Sequence, residues 1–348
     1  MATREADHVP AEVNRPRARR VNIKGLAQAL IGIAAIVLLV VRSDAHALVS
    51  AIENTRVGYL PLAIISSFVV IWLMAYRWQA ILEANRIFIP TRRLFIYYLI
   101  GSFFTSFVPG GGVSGDVARL IYVDREFHDK PRILSTLVYE RLIGVFTLLL
   151  IGFAATVMTR AYGQTDPKIY ASEAILAISF IAITTLMSEK FSSRLASLLR
   201  SYGPRFKIVR IAEAAARTLE SISGLRHNKS LLLRTSLISV LIRVVWSLGC
   251  YVVAWAMGLP IGILTLFAFI SLVDLVRLMP ISIGGIGVRE WAVIALFATI
   301  GISREQALTF SILAFAPVYL NAVAGGLLYI SSAKLKREEA RAVVPDLT

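Results

Sequence analysis

Apolar runs near Lys24–Val41, Tyr59–Leu82, Ile133–Met158, Tyr170–Met187, Leu231–Met257 and Ala307–Ile330 leave this chain few ways to fold. Each approaches or exceeds the roughly 20 residues that a helix needs to cross a bilayer. Lipid offers no partner to a backbone N–H or C=O, so a run that enters it must satisfy those groups internally, as a helix. The 57% hydrophobic content exceeds the roughly 45–50% of soluble domains. The sequence therefore predicts an all-α integral membrane protein with about six full transmembrane helices. Its 348 residues leave no room beside them for a separate catalytic domain of about 100 residues or more.

The formal charge of +15 does not indicate a nucleic-acid partner, because of where it sits. Most of the 37 Lys and Arg residues fall in the tail through Lys24, in Arg86–Arg93, in Arg119–Arg132, in Lys190–Arg234 and after Lys334. Basic segments that alternate with apolar runs mark the cytoplasmic side of a membrane protein and attract anionic headgroups there. This predicts a multi-pass protein of the cell (inner or plasma) membrane with both termini in the cytoplasm. The first run lacks a small-x-small cleavage site after Val40-Val41-Arg42-Ser43 and reads as a retained anchor. Cys250 is the single cysteine, and His8, His46, His128 and His227 show no ligand spacing. No metal site and no cofactor are expected.

Two shorter apolar stretches cannot span comfortably and end in breaks. The first break reads Pro109-Gly110-Gly111-Gly112-Val113-Ser114-Gly115-Asp116-Val117-Ala118-Arg119. The second reads Pro280-Ile281-Ser282-Ile283-Gly284-Gly285-Ile286-Gly287-Val288-Arg289-Glu290. Each runs from Pro through a glycine cluster to an acid and an Arg as a helix opens. Paired, interrupted apolar segments in the two halves of a chain point to a transport site. The expected organisation is a disordered basic tail (1–20), a first membrane half (21–165) with a re-entrant hairpin at 94–118, and a second half (166–333). The second half carries a cytoplasmic amphipathic segment (188–230) and a re-entrant hairpin at 261–300. A cytoplasmic tail (334–348) closes the chain. Charge and length suggest that the halves form an inverted repeat.

A helix N-terminus carries unpaired N–H groups and about half a positive charge, and glycine lets a phosphate approach that backbone closely. Gly110, Gly111, Gly112, Gly115 and Arg119, with Gly284, Gly285, Gly287 and Arg289, are therefore the expected ligands of a lipid headgroup or its phosphate. Asp116 and Glu290 stand where they can cap a helix or pair with an Arg, and are expected to line or gate the path. Glu140, Arg141, Arg243, Asp274 and Arg277 also fall at membrane depth. Charges there cost roughly 2.5–3.5 kcal/mol each on insertion scales and face a cavity or one another, so they are expected to line or gate a path. An ion pair of Glu140 with Arg141 that merely locks the bundle is the plainer reading of those two. Arg77, near a helix end, reads as a snorkelling residue without a role, and Tyr76 and Trp78 as an interfacial belt.

These motifs, with Tyr139-Glu140-Arg141-Leu142, resemble the membrane domain of lysylphosphatidylglycerol synthases and the stand-alone flippase-like proteins of the UPF0104 family. The resemblance covers nearly the whole chain after residue 20, and the second break is its most specific part. Gly115-Asp116 stands where relatives often have Gly-Glu. The resemblance implies movement of a phospholipid or modified lipid between leaflets. It also implies no aminoacyl transfer, since the chain ends soon after Lys336. The expected partners are membrane lipids, anionic or phosphate-bearing, and a homodimer is left open. An intramembrane enzyme on a lipid or polyprenyl substrate is the rival reading, but no catalytic nucleophile–base pair is visible. An accessory subunit of a lipid-modifying enzyme is another.

Overall fold

The computed structural model describes residues 51–109, 112–161, 228–278 and 282–343, with 174–179 and a few positions nearby. The expected tail 1–20, the run Lys24–Val41, most of Tyr170–Met187, nearly all of segment 188–230, and Gly110, Gly111, Pro280 and Ile281 lie outside these residues, as does the end of the 334–348 tail.

The described chain is helical throughout. Helix α1 is Leu60–Ala84, preceded by the short 3-10 turn Val57–Tyr59. Helices α2 (Thr91–Phe107) and α3 (Gly112–Phe127) flank the first break. Helix α4 is Lys130–Ala161 and α5 is Lys229–Ala256. Helices α6 (Ile263–Arg277) and α7 (Val288–Ala298) flank the second break, and α8 is Arg304–Val343. Among the described residues, four helical stretches are long and apolar enough to cross a membrane: Val57–Ala84, Lys130–Thr159, Lys229–Ala256 and Arg304–Ser331. They match the expected spans in those regions to within a few residues. This is an all-α membrane protein.

Local chemistry explains where the helices begin. Pro61 sits in the first turn of α1, where a missing N–H costs nothing. Pro90 precedes α2 in extended backbone. The Asn228 side chain caps α5 by accepting the Leu231 N–H at 3.0 Å. Leu233, Leu237, Leu241 and Leu248 form an exposed stripe on α5, which is what a lipid-facing helix shows.

Two main apolar cores hold the bundle. One joins α1, α2, α3 and α4 through Trp78, Ile81, Tyr98, Val123, Ile133 and Tyr139. The other joins α5, α6, α7 and α8 through Val253, Leu266, Phe269, Phe297, Phe310 and Phe315. Small residues close the seams, as in other membrane bundles. A Cβ at Gly325 on α8 would overlap the backbone carbonyl of Leu99 on α2, and one at Gly326 would meet the Phe103 ring at 2.8 Å. Within the first hairpin, Gly101 of α2 and Gly115 of α3 approach backbone to backbone, and Ser114 Oγ donates to the Phe104 carbonyl at 2.8 Å.

Candidate functional site

The two breaks, far apart in sequence, meet in space. A Cβ at Gly284 would stand 3.2 Å from the Ser106 carbonyl oxygen at the end of α2. Beside this contact the Phe107 and Tyr319 rings lie 6.4 Å apart. Tyr319 and its neighbour Pro317 fall near the middle of the spanning stretch Arg304–Ser331. The hairpin tips therefore converge at about the mid-depth of α8. Gly284, Gly285 and Gly287 all have positive φ (63°, 76° and 86°), a turn that other residues enter only with strain. Glu290 reaches back to accept the Gly287 N–H at 2.6 Å, which closes the first turn of α7.

A charge cluster lies beside each break. In the first, Arg77 Nη2 donates to Glu140 Oε1 at 2.7 Å and Arg119 Nη1 donates to Glu140 Oε2 at 2.9 Å. The Tyr98 hydroxyl also donates to Glu140. Arg77 reaches Ser239 on α5 at 2.7 Å. Asp116 pairs with both Arg119 and Arg141. The Arg119 guanidinium carbon lies 4.1 Å from the Tyr98 ring centre and 4.9 Å from that of Trp78. Arg141 is the open member, with its side chain 42% exposed. Its fork lies against the start of α3, where a Cβ at Gly112 would meet Nη2 at 2.6 Å.

In the second cluster, Asp274 pairs with Arg243 of α5 and with Arg277, whose Nη1 lies at 2.9 Å. Arg289 Nε donates to Glu290 Oε1 at 2.9 Å. Three side chains then converge on the buried Phe315 ring. The Arg289 and Arg277 guanidinium carbons stand 4.3 and 4.8 Å from its centre, and the Trp246 ring 5.4 Å. Each cluster sets three guanidinium charges against two carboxylates, which leaves a net charge of +1.

The sequence-predicted residues thus fall into two groups. Gly112, Gly115, Asp116, Arg119, Glu140 and Arg141 gather beside the first break. Gly284, Gly285, Gly287, Arg289, Glu290, Arg243, Asp274 and Arg277 gather beside the second. Arg119 and Arg289 are both buried and each is engaged by the acid of its own motif. Glu140 and Arg141 do not pair with each other. Residues adjacent in a helix point about 100° apart, so Glu140 turns inward and Arg141 turns toward Asp116.

Two expectations need correction. Arg77 does not snorkel. It is 4% exposed and neutralises Glu140, because it sits roughly 10 Å from the end of α1 at 1.5 Å per residue. Trp78 does not belong to an interfacial belt either. It is fully buried, and its indole N–H donates to Thr136 Oγ1 at 3.0 Å. Sequence reasoning also missed Trp246 and Ser282. A Trp three residues after an Arg within one apolar run, Arg243 and Trp246, was the available signal for Trp246.

Comparison with known proteins agrees with this architecture. A family model described as the lysylphosphatidylglycerol synthase TM region matches residues 26–325. A UPF0104 membrane protein of Pyrococcus horikoshii, PH1989, is 21% identical over 327 residues, which covers 88% of this chain and 96% of that protein. A UPF0104 membrane protein of Methanothermobacter thermautotrophicus is 20% identical over 293 residues, covering 80% of this chain and 87% of that one. No solved structure matches. With the match running from before α1 into α8 and through both breaks, the chain belongs to the family of the lysylphosphatidylglycerol synthase TM region.

Proposed function

We propose that this protein moves a phosphate-bearing lipid headgroup between the leaflets of the cell membrane, at the place where its two hairpin tips meet. The observation that carries this reading is the contact of Gly284 with the Ser106 backbone between two clusters of net charge +1. A charged headgroup crossing hydrocarbon needs compensating charge along its way. Broken helices at mid-membrane supply it as unpaired N–H groups and positive helix ends. Arg141, exposed at the start of α3, is placed to meet a headgroup first. Arg277 and Arg289 are placed to meet it at mid-depth.

We assign Arg86–Arg93 and Arg125–Arg132 to the cytoplasmic side from their basic character, so that the first hairpin enters from that side. The second hairpin enters from the outside, and the two close on each other as opposing half-helices. Movement then requires the tips to part. Passive or ion-coupled transport suits a chain with no Walker-type phosphate loop. We read the protein as a translocator rather than an enzyme.

Reconstitution tests this. Purified protein in vesicles with a fluorescent phospholipid is exposed to a membrane-impermeant quencher. Quenching should proceed beyond the outer-leaflet fraction, faster than in protein-free vesicles. Quenching limited to the outer leaflet, with and without an ion gradient and with several headgroups, would contradict the proposal. A new or missing lipid species in a deletion strain would point to an enzyme instead.

A further inference from the structure

Three buried hydrogen-bonding groups at the second break have no partner among the described residues: Trp246 Nε1, Arg277 Nε and Ser282 Oγ. Ser282 is 4% exposed and Trp246 9%. Buried polar groups are nearly always satisfied, and leaving one unpaired is unfavourable. The two carboxylates of the cluster are already engaged. Asp274 takes Arg243 and Arg277, while Glu290 takes Arg289 and the Gly287 N–H. The groups share one neighbourhood. Trp246 and Arg277 both lie on the Phe315 ring. Ser282 belongs to the same tight turn as Gly285, where a Cβ would meet Arg277 Cγ at 3.1 Å.

We infer that Trp246, Arg277 and Ser282 form an oxyanion subsite that takes a single phosphodiester group. This rests on the lipid-translocation reading and narrows its substrate. Charge sets the class. The second cluster carries a net +1, so one monoanionic diester brings it to neutrality. A phosphate monoester, with a charge of about −1.5 to −2 at pH 7, leaves an uncompensated negative charge at mid-membrane. The indole N–H donates and has no acceptor role, and an Arg Nε likewise only donates. Both therefore call for an oxygen acceptor rather than a cation. The headgroup beyond the diester is not held by these residues and stays variable.

Binding to the intact protein in detergent tests the subsite. The probes are a short-chain phosphatidylglycerol, inorganic phosphate and a short-chain diacylglycerol, each followed by calorimetry. The phosphatidylglycerol should bind, with inorganic phosphate and the neutral diacylglycerol each at least about tenfold weaker. The double variant Trp246→Phe with Ser282→Ala should bind it about tenfold more weakly or worse, with an unliganded melting temperature like that of the wild type. Equal affinity in the double variant overturns the subsite, as does equal affinity for inorganic phosphate. Lipid movement measured in parallel separates the two claims. An unaltered rate in the double variant sinks the subsite and leaves translocation standing. A wild type that binds the diester but moves no lipid sinks translocation and keeps the subsite.

Discussion

The two breaks share a proline, a glycine cluster, and the count and net charge of the groups beside them, yet they use those charges differently. Beside the first break a single carboxylate, Glu140, collects donors from three elements: Arg77 of α1, Tyr98 of α2 and Arg119 of α3. That carboxylate is 3% exposed. The cluster ties the first hairpin to α1 and α4 and, through Ser239, to α5. Beside the second break no carboxylate plays that part. Asp274 joins Arg243 of α5 to Arg277 of α6, and Glu290 holds Arg289 and its own helix start. Three buried groups remain without a partner among the described residues there, Trp246 Nε1, Arg277 Nε and Ser282 Oγ, against Arg77 Nε alone in the first cluster. The first cluster is built as a brace, and on the subsite proposed above the second acts as a seat. Equal charge beside two similar breaks thus goes with different wiring: one shared carboxylate gathers three helices in the first, and two separate acids hold separate partners in the second.

The comparison can be broken most severely at Glu140. Glu140→Ala leaves Arg77 and Arg119 buried without their common partner. It should cost about 3–5 kcal/mol, the cost of uncompensated buried charge. A thermal melt in detergent should show a large drop, and a variant as stable as the wild type would deny the brace. Gly325→Leu comes next. It drives a side chain into the Leu99 backbone, and overpacking costs about 1–3 kcal/mol. The loss should register as faster proteolysis of the α2–α3 hairpin; unchanged protection would mean the α2–α8 seam is not what holds that hairpin. Tyr98→Phe removes one donor from a carboxylate that keeps two arginines, so about 1–2 kcal/mol is expected. A change within error would remove Tyr98 from the brace. The smallest effect belongs to the exposed pair of Arg93 with Glu126, whose side chains are 51% and 40% exposed. Arg93→Ala should cost no more than about 1 kcal/mol, and a larger loss would show that exposed charge on the basic side also holds the fold.

Much of the architecture is legible in the sequence, for a physical reason. Backbone in lipid has so few options that an apolar run of sufficient length fixes a helix. This is why α1, α4, α5 and the apolar part of α8 fall where composition puts them. The breaks are legible because proline and clustered glycine act locally on the backbone, as Gly284, Gly285 and Gly287 do with their positive φ. Glu290 is legible as a cap because it stands three residues after Gly287. What the sequence hides is long-range. Arg77 gains its role from Glu140, 63 positions away, and from Ser239, 162 positions away. No local pattern announces either contact. That the two breaks touch also depends on tertiary packing, with α2 lying along α8 over Gly325 and Gly326. That Trp246 and Ser282 have no partner among the described residues emerges only from the tertiary packing.

A single pair of conservative substitutions tests the difference between brace and seat most directly. Tyr98→Phe and Trp246→Phe each remove one polar group from beside a break while leaving a ring in place. The quantity to compare is the rate of phospholipid movement per folded protein in vesicles. Tyr98→Phe should move lipid at close to the wild-type rate despite its lower melting temperature. Trp246→Phe should keep its melting temperature and move lipid about tenfold more slowly. Equal rates in the two variants, or the slower rate in Tyr98→Phe, would contradict the account.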